Sequence, residues 1–401
     1  MLSWMQQRLE VISGCAFRSF FLLSAAAAVL LIGLWLGFLH SGRGIAFGVA
    51  GPFAWHLHEM LWGLSLAALI GFLLTALPEF VKASEPPRRL IVLLALLWLA
   101  GRLAALTAGW LGYWPLLLLH WALLLLLCRW VLPPLWRDPR RRHRGFLWGL
   151  LLLCVLRLGL DQALLRGAPA MPWLHATLHL FMLLILLAHG RISLRIVNRH
   201  LDALQITERR FLPRPPLRHL ATSLIALYAL VQLLASLVPG LLSPALQGWL
   251  ALAAAAALLN LLNDWRIGRE LWQPHVILLF ALPLCMAVGY GLLGFAQLGA
   301  GIALSAGWHW LGIAALGLSL LVVMSIAGRL HSGLDLDRRA WLPVAGLLLL
   351  GSVLARSLST LGHDWLFWIS LSACAWMLAF ACWAVWLWPV LTRLRPGQQG
   401  C

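Results

Sequence analysis

Fourteen histidines punctuate an otherwise apolar chain, and their spacing is the first sign of chemistry. Trp55-His56-Leu57-His58-Glu59-Met60 brings two imidazoles and a carboxylate within four positions. His175 and His179 are four apart, so on a helix they face the same way and can offer two ligands to one centre. His309 follows a tryptophan as His56 does, with Gly312 three residues on. Neutral imidazole is the usual axial ligand of b-type haem, also binds copper, and is tolerable inside a membrane. His56, His58, His175, His179 and His309 therefore read as candidate metal or haem ligands. The bland alternative is that they, with Trp55 and Trp308, are interfacial amphipaths bonded to neighbours.

Glu59 is the acidic residue that the sequence places most clearly inside a span, where a carboxylate must be protonated, paired or functional. It reads as the catalytic, proton-handling group. Arg102 is its candidate partner and is equally suited to clamp a haem propionate, since guanidinium and carboxylate match as a bidentate pair. On an α-helix His56, Glu59, Met60 and Gly63 share a face, whereas His58 points elsewhere. Both histidines can then serve one metal only where the helix start unwinds; otherwise one ligates and the other hydrogen-bonds. Gly63 leaves space for a flat group beside that face.

The elements that must position these residues are membrane spans. The chain has 401 residues, 62% hydrophobic and 11% charged, against about 45–50% apolar and about 25% charged in soluble domains. Apolar runs long enough to cross a bilayer recur throughout, and only helices suit them, because barrel-type alternation is missing. The breaks predict twelve spans near 20–39, 55–77, 90–110, 114–132, 146–160, 173–190, 219–237, 246–262, 275–293, 308–327, 340–355 and 366–388. The fold class is an all-α polytopic membrane helical bundle. It reads as one integral membrane domain over 1–401, with a cytoplasmic segment at 1–19 and a basic cytoplasmic loop at 191–218.

Arginine blocks at Arg137, Arg140, Arg141, Arg142 and Arg144, and again between Arg191 and Arg218, place both termini in the cytoplasm. His120, His309 and His363 then fall toward the opposite side, with His56, His58, His175 and His179. The net charge of +17 belongs to orienting loops, so the expected partner is the lipid bilayer and not nucleic acid. No polar stretch is long enough for a separate soluble enzyme domain. Seven cysteines without a CxxC read as small packing residues. No inverted repeat is evident, and no span is interrupted at its middle by paired Gly and Pro, which weighs against a broken-helix transporter.

WHLHEM (55–60) followed by GFLLTALPEF (71–80) resembles the signature of the NnrS family of bacterial membrane proteins. So do CAFRSFF (15–21), LLWLAGRLA (96–104), HGRIS (189–193) and the stretch from His309 through VMSIAGRLHSG (323–333). The resemblance implies a multi-pass protein of the bacterial inner membrane that carries haem b and copper. It further implies a role in nitric oxide metabolism or relief of nitrosative stress, with nitric oxide as ligand and an unidentified electron donor. Residue by residue it highlights Arg18, His56, His58, Glu59, Thr75, Pro78, Arg102, Arg191, His309, Met324 and His331. Ser19, Glu79-Phe80, Ile326 and PHVILLFALPL (274–284) depart from the family pattern.

His309 and His331 are 22 positions apart, or roughly 33 Å on one continuous helix, so they cannot ligate one centre. The highlighted residues divide into an outer group (His56, His58, Glu59, Arg102, His309) and an inner group (Arg18, Thr75, Pro78, Arg191, His331), which implies two sites. The reading is a haem- and copper-containing protein that binds and reduces nitric oxide, Glu59 relaying protons. Its alternatives are a transporter or channel for a metal ion or small solute, and a haem-binding sensor or assembly factor without turnover.

Overall fold

The computed structural model describes residues 2–43, 45, 48, 50–139, 141–362 and 364–393; Arg140 and His363 lie outside them. Those residues form helices and loops, with no strand among them. In chain order the helices are α1 (Leu2–Gly14), α2 (Ala16–Ser41), α3 (Gly51–His58), α4 (Leu66–Val81), α5 (Arg88–Leu106), α6 (Ala108–Leu111), α7 (Trp114–Arg137) and α8 (Arg144–Leu165). There follow α9 (Met171–Ala203), α10 (Pro215–Leu237), α11 (Pro244–Asn260), α12 (Pro274–Gln297), α13 (Leu304–His309), α14 (Leu318–Leu330), α15 (Trp341–Leu358) and α16 (Trp365–Leu391). Wider π-helical turns, Glu59–Ser65 and Trp310–Gly317, fuse α3 to α4 and α13 to α14. Among the described residues twelve continuous helices are long and apolar enough to cross a membrane, which makes this a multi-pass membrane protein.

The expected spans are all present, and their ends shift for identifiable reasons. The first helix of that set opens at Ala16, so Arg18 lies inside it and not in the terminal segment expected at 1–19. The fifth runs over Arg144–Leu165, because Arg157 and Asp161 neutralise one another one turn apart and do not end it. The segment expected as a loop from 191 continues α9 to Ala203; arginine and leucine are good helix formers, and the break comes only before Pro215. Spans 2 and 10 are continuous, and each contains a π-helical turn. The Ser65 hydroxyl donates to the Met60 carbonyl five residues back, at 2.6 Å, which suits the wider turn.

The chain divides into two compact units. The first comprises residues 1–174, 323–336 and 380–401. In it Gly71 brings α4 against α2 so closely that a Cβ there would lie 2.9 Å from that of Phe20. Trp98 of α5 donates to the Gly63 carbonyl at 2.9 Å. The CAFRSFF and GFLLTALPEF segments thus pack on one another, and LLWLAGRLA packs on the turn at Gly63. The second unit comprises residues 175–322 and 337–379. There α11 and α12 approach through small residues: a Cβ on Gly294 would lie 2.9 Å from the Gly248 carbonyl oxygen, the usual means by which apolar helices pack in lipid. Ser352 of α15 donates to the Ser372 carbonyl of α16 at 2.8 Å.

Candidate functional site

In the first unit, six ionisable side chains from four span helices meet away from solvent. Arg102 of α5 donates through Nη1 to Glu59 Oε1 at 2.6 Å and through Nη2 to His120 Nε2 of α7 at 2.7 Å. His120 Nδ1 is 3.0 Å from the Leu116 carbonyl oxygen. A carbonyl only accepts and a guanidinium only donates, so His120 is the neutral tautomer protonated on Nδ1. The same reasoning fixes His58. Arg157 of α8 donates through Nη1 to His58 Nε2 at 3.1 Å, so His58 carries its proton on Nδ1 and donates it to Glu59 Oε1 at 2.8 Å. Arg157 Nε lies 2.9 Å from Asp161 Oδ1, while its Nη2 donates to the Tyr113 hydroxyl at 2.8 Å. Tyr113 donates onward to Asp161 Oδ1 at 2.5 Å, and Trp121 Nε1 donates to Asp161 Oδ2 at 2.7 Å.

Two carboxylates, two guanidinium groups and two neutral imidazoles leave the network without net charge. That neutrality is what makes its burial tolerable, because an uncompensated ion in this setting costs several kcal/mol. The walls are aromatic: Arg157 lies over the Trp62 ring at 5.2 Å and Arg102 over Trp98 at 5.6 Å, and each electron-rich face steadies a cation. Glu59 is fully buried, and its Oε2 meets no hydrogen-bond partner among the described residues. It is the network's open acceptor, the oxygen on which an arriving proton can rest. At the end of the network, outside the spans, burial holds the Tyr113 hydroxyl above the usual tyrosine range. Arg157 opposes that shift and Asp161 adds to it.

The Glu59–Arg102 pair expected from sequence is present. The space expected beside Gly63 for a flat group is filled instead by Arg102: a Cβ on Gly63 would stand 2.8 Å from Arg102 Nη1. Glycine is thus required for the guanidinium to reach Glu59. His58 and Glu59, neighbours in the chain, are joined directly by the Nδ1–H to Oε1 bond. His56 turns instead toward α2, its ring stacked on Trp35 at 4.7 Å. Sequence reasoning missed four members. His120 appears in it only as an outer-side histidine. Asp161 lies one residue past the expected end of span 5, and Tyr113 just before span 4. The signal available was the Arg157–Asp161 spacing of four on one helix face.

In the second unit His179 is fully buried; it bonds to the Tyr290 hydroxyl at 2.9 Å through Nδ1 and to Gln232 Oε1 at 3.0 Å through Nε2. Gln232 and Gln297 both donate to the Tyr228 hydroxyl, at 3.4 and 3.1 Å. His175 lies flat on Trp308, ring centroids 4.0 Å apart. His309 Nδ1 donates to the Ser305 carbonyl at 2.7 Å. Of the inner group, Arg18 donates through Nη1 to the Leu391 and Arg393 carbonyls at 3.0 and 3.2 Å, and the His331 ring is 5.6 Å from Phe17, all in the first unit. Thr75 bonds only to the Gly71 carbonyl of its own helix, and Arg191 lies half-buried in α9.

These contacts decide which imidazoles fit a metal. His58, His120 and His179 have both ring nitrogens committed to protein partners. His309 has its Nδ1–H held by the Ser305 carbonyl, the orientation usual in a metal-binding imidazole. Among the described residues no group of three or more His, Cys, Asp or Glu is arranged to hold a metal ion, so a copper centre built from such a set does not fit.

An all-helical membrane bundle that hides a charge-balanced network within its spans defines a class: integral membrane proteins with an internal polar site. The particular family follows from the chain itself. It matches the NnrS protein family over residues 11–395, nearly its whole length, and it belongs to that family. No curated protein compared with it matches.

Proposed function

We propose that this protein binds nitric oxide within the bilayer and assists its reduction. The network around Glu59 serves as its proton store. Family membership supports the link to nitric oxide. The observation that carries the site assignment is the buried Glu59 carboxylate, held by Arg102 and His58 yet with one oxygen open. Ionisable groups within spans are costly and are kept where they work. The loop arginines favour cytoplasmic termini, an orientation that puts the network toward the periplasmic face of an inner membrane.

A haem b ligated by His309 would supply the ferrous iron that binds the gas. The chain's own residues do the remainder. Trp62 and Trp98 cover the guanidinium groups, and Arg102 and Arg157 pair with Glu59 and Asp161. The His58 Nδ1–H donates to Glu59 at 2.8 Å and the Tyr113 hydroxyl to Asp161 at 2.5 Å. Electrons come from a donor outside the chain. The test is a reduced-minus-oxidised spectrum with metal analysis on purified protein, repeated after adding nitric oxide. A Soret band that shifts with nitric oxide supports the reading; protein with neither haem nor any response to nitric oxide overturns it.

A further inference from the structure

Beside the network the first unit holds a partly open chamber of about 90 Å³. Ala54, Trp55 and His58 of α3, Ala105 of α5, Tyr113 just before α7 and Leu160 of α8 are among the residues that bound it. Its polar side chains are already bonded. The Trp55 indole N–H donates to the Ala105 carbonyl at 3.2 Å, and His58 uses both ring nitrogens. The Tyr113 hydroxyl accepts from Arg157 and donates to Asp161. A water needs two to four polar partners to be held, and a void that offers none stays dry and takes apolar guests. The size agrees: a drug- or cofactor-sized pocket is about 300–1,000 Å³, whereas an apolar void of about 150 Å³ already admits benzene or xenon.

We propose that this chamber is a docking site for an uncharged diatomic gas, held against the rings of His58 and Tyr113. Charge is disfavoured because the polar side chains that bound the chamber are already bonded to protein partners. That the guest is nitric oxide rests on the function proposed above; that the chamber selects a small neutral gas does not.

Xenon is the probe, since it is neutral, gas-sized and visible by 129Xe resonance or in a pressurised structure. Intact protein in nanodiscs is expected to show one xenon between Trp55, His58 and Tyr113. Ala54→Leu and Ala105→Leu, which fill the chamber, should each lower occupancy at least tenfold, and Leu160→Ala, which enlarges it, should raise occupancy. The fillers should also slow nitric oxide uptake several-fold while any haem spectrum stays that of the wild type. Should a filler fail to fold, the other filler and the enlarging variant still decide the matter. Ordered water in place of xenon in the wild type overturns the proposal, and so does occupancy that ignores all three substitutions. A wild-type chamber that takes xenon in a protein that takes up no nitric oxide refutes the proposed function and leaves the chamber standing.

Discussion

Replacing Gly63 by alanine tests the core of the site with the smallest possible change. The new methyl carbon would stand 2.8 Å from Arg102 Nη1 and 3.3 Å from Glu59 Oε2. Comfortable contact needs about 3.5 Å, so the guanidinium must retreat by about 0.7 Å. The Arg102–Glu59 bond, now 2.6 Å, then stretches to about 3.3 Å, beyond the ~2.7–3.2 Å range of a sound N–H···O bond. Loss of a charged hydrogen bond costs about 1.5–3 kcal/mol, rising to about 3–5 kcal/mol if the buried pair separates. Equilibrium unfolding in mixed micelles measures this, comparing Gly63→Ala alone with the same change in an Arg102→Met background. The collision exists only when the guanidinium does, so the alanine should cost less than about 1 kcal/mol once Arg102 is gone. Equal costs in the two backgrounds would refute the reasoning, as would a harmless Gly63→Ala in the wild type.

Other consequences follow from the same geometry. Glu59→Gln leaves Arg102 buried without its counter-ion and should cost about 3–5 kcal/mol, most of it restored in Glu59→Gln/Arg102→Met; a double variant no better than the single would deny the pairing. Tyr113 is raised above its ordinary range, so its protonated form belongs to the folded state. Its stabilising contribution is complete below the unfolded value of about 10 and fades as pH climbs through the higher folded value. An alkaline titration at 295 nm should show no Tyr113 tyrosinate while the protein is folded, and Tyr113→Phe should flatten that part of the stability curve; a tyrosinate lost on Tyr113→Phe but formed near pH 10 in folded wild type contradicts this. His309→Ala should abolish or shift the haem absorption, whereas His179→Gln, at a ring with both nitrogens already bonded, should spare it. The reverse pattern would move the axial ligand to the second residue.

Span number and order were legible because bilayer thickness sets a strict minimum run of apolar residues. Chemistry at the ends was less so, since Arg157 and Asp161 look like span-ending charges until their mutual neutralisation is seen. The Glu59–Arg102 pair could be anticipated because each is an isolated charge in apolar sequence. His120 could not: nothing near it in the chain announces that Arg102 will fill its Nε2. The π-helical turns also escaped notice, although they leave a trace. Trp55-His56 precedes Gly63-Leu64-Ser65-Leu66, and Trp308-His309 precedes Gly317-Leu318-Ser319-Leu320, each pair bracketing a widened turn. Periodicity assumes one helical pitch, and such a turn shifts every side chain beyond it.

The central claim is that a buried, charge-neutral network supplies protons to nitric oxide chemistry. Its most direct test is nitric oxide uptake in reduced proteoliposomes, measured with an electrode on wild type and Glu59→Gln matched for folded protein and haem content. Uptake by the wild type, with a large loss in the glutamine variant and an unchanged absorption spectrum, is the expected result. Equal rates from the two proteins would show that the Glu59 carboxylate takes no part.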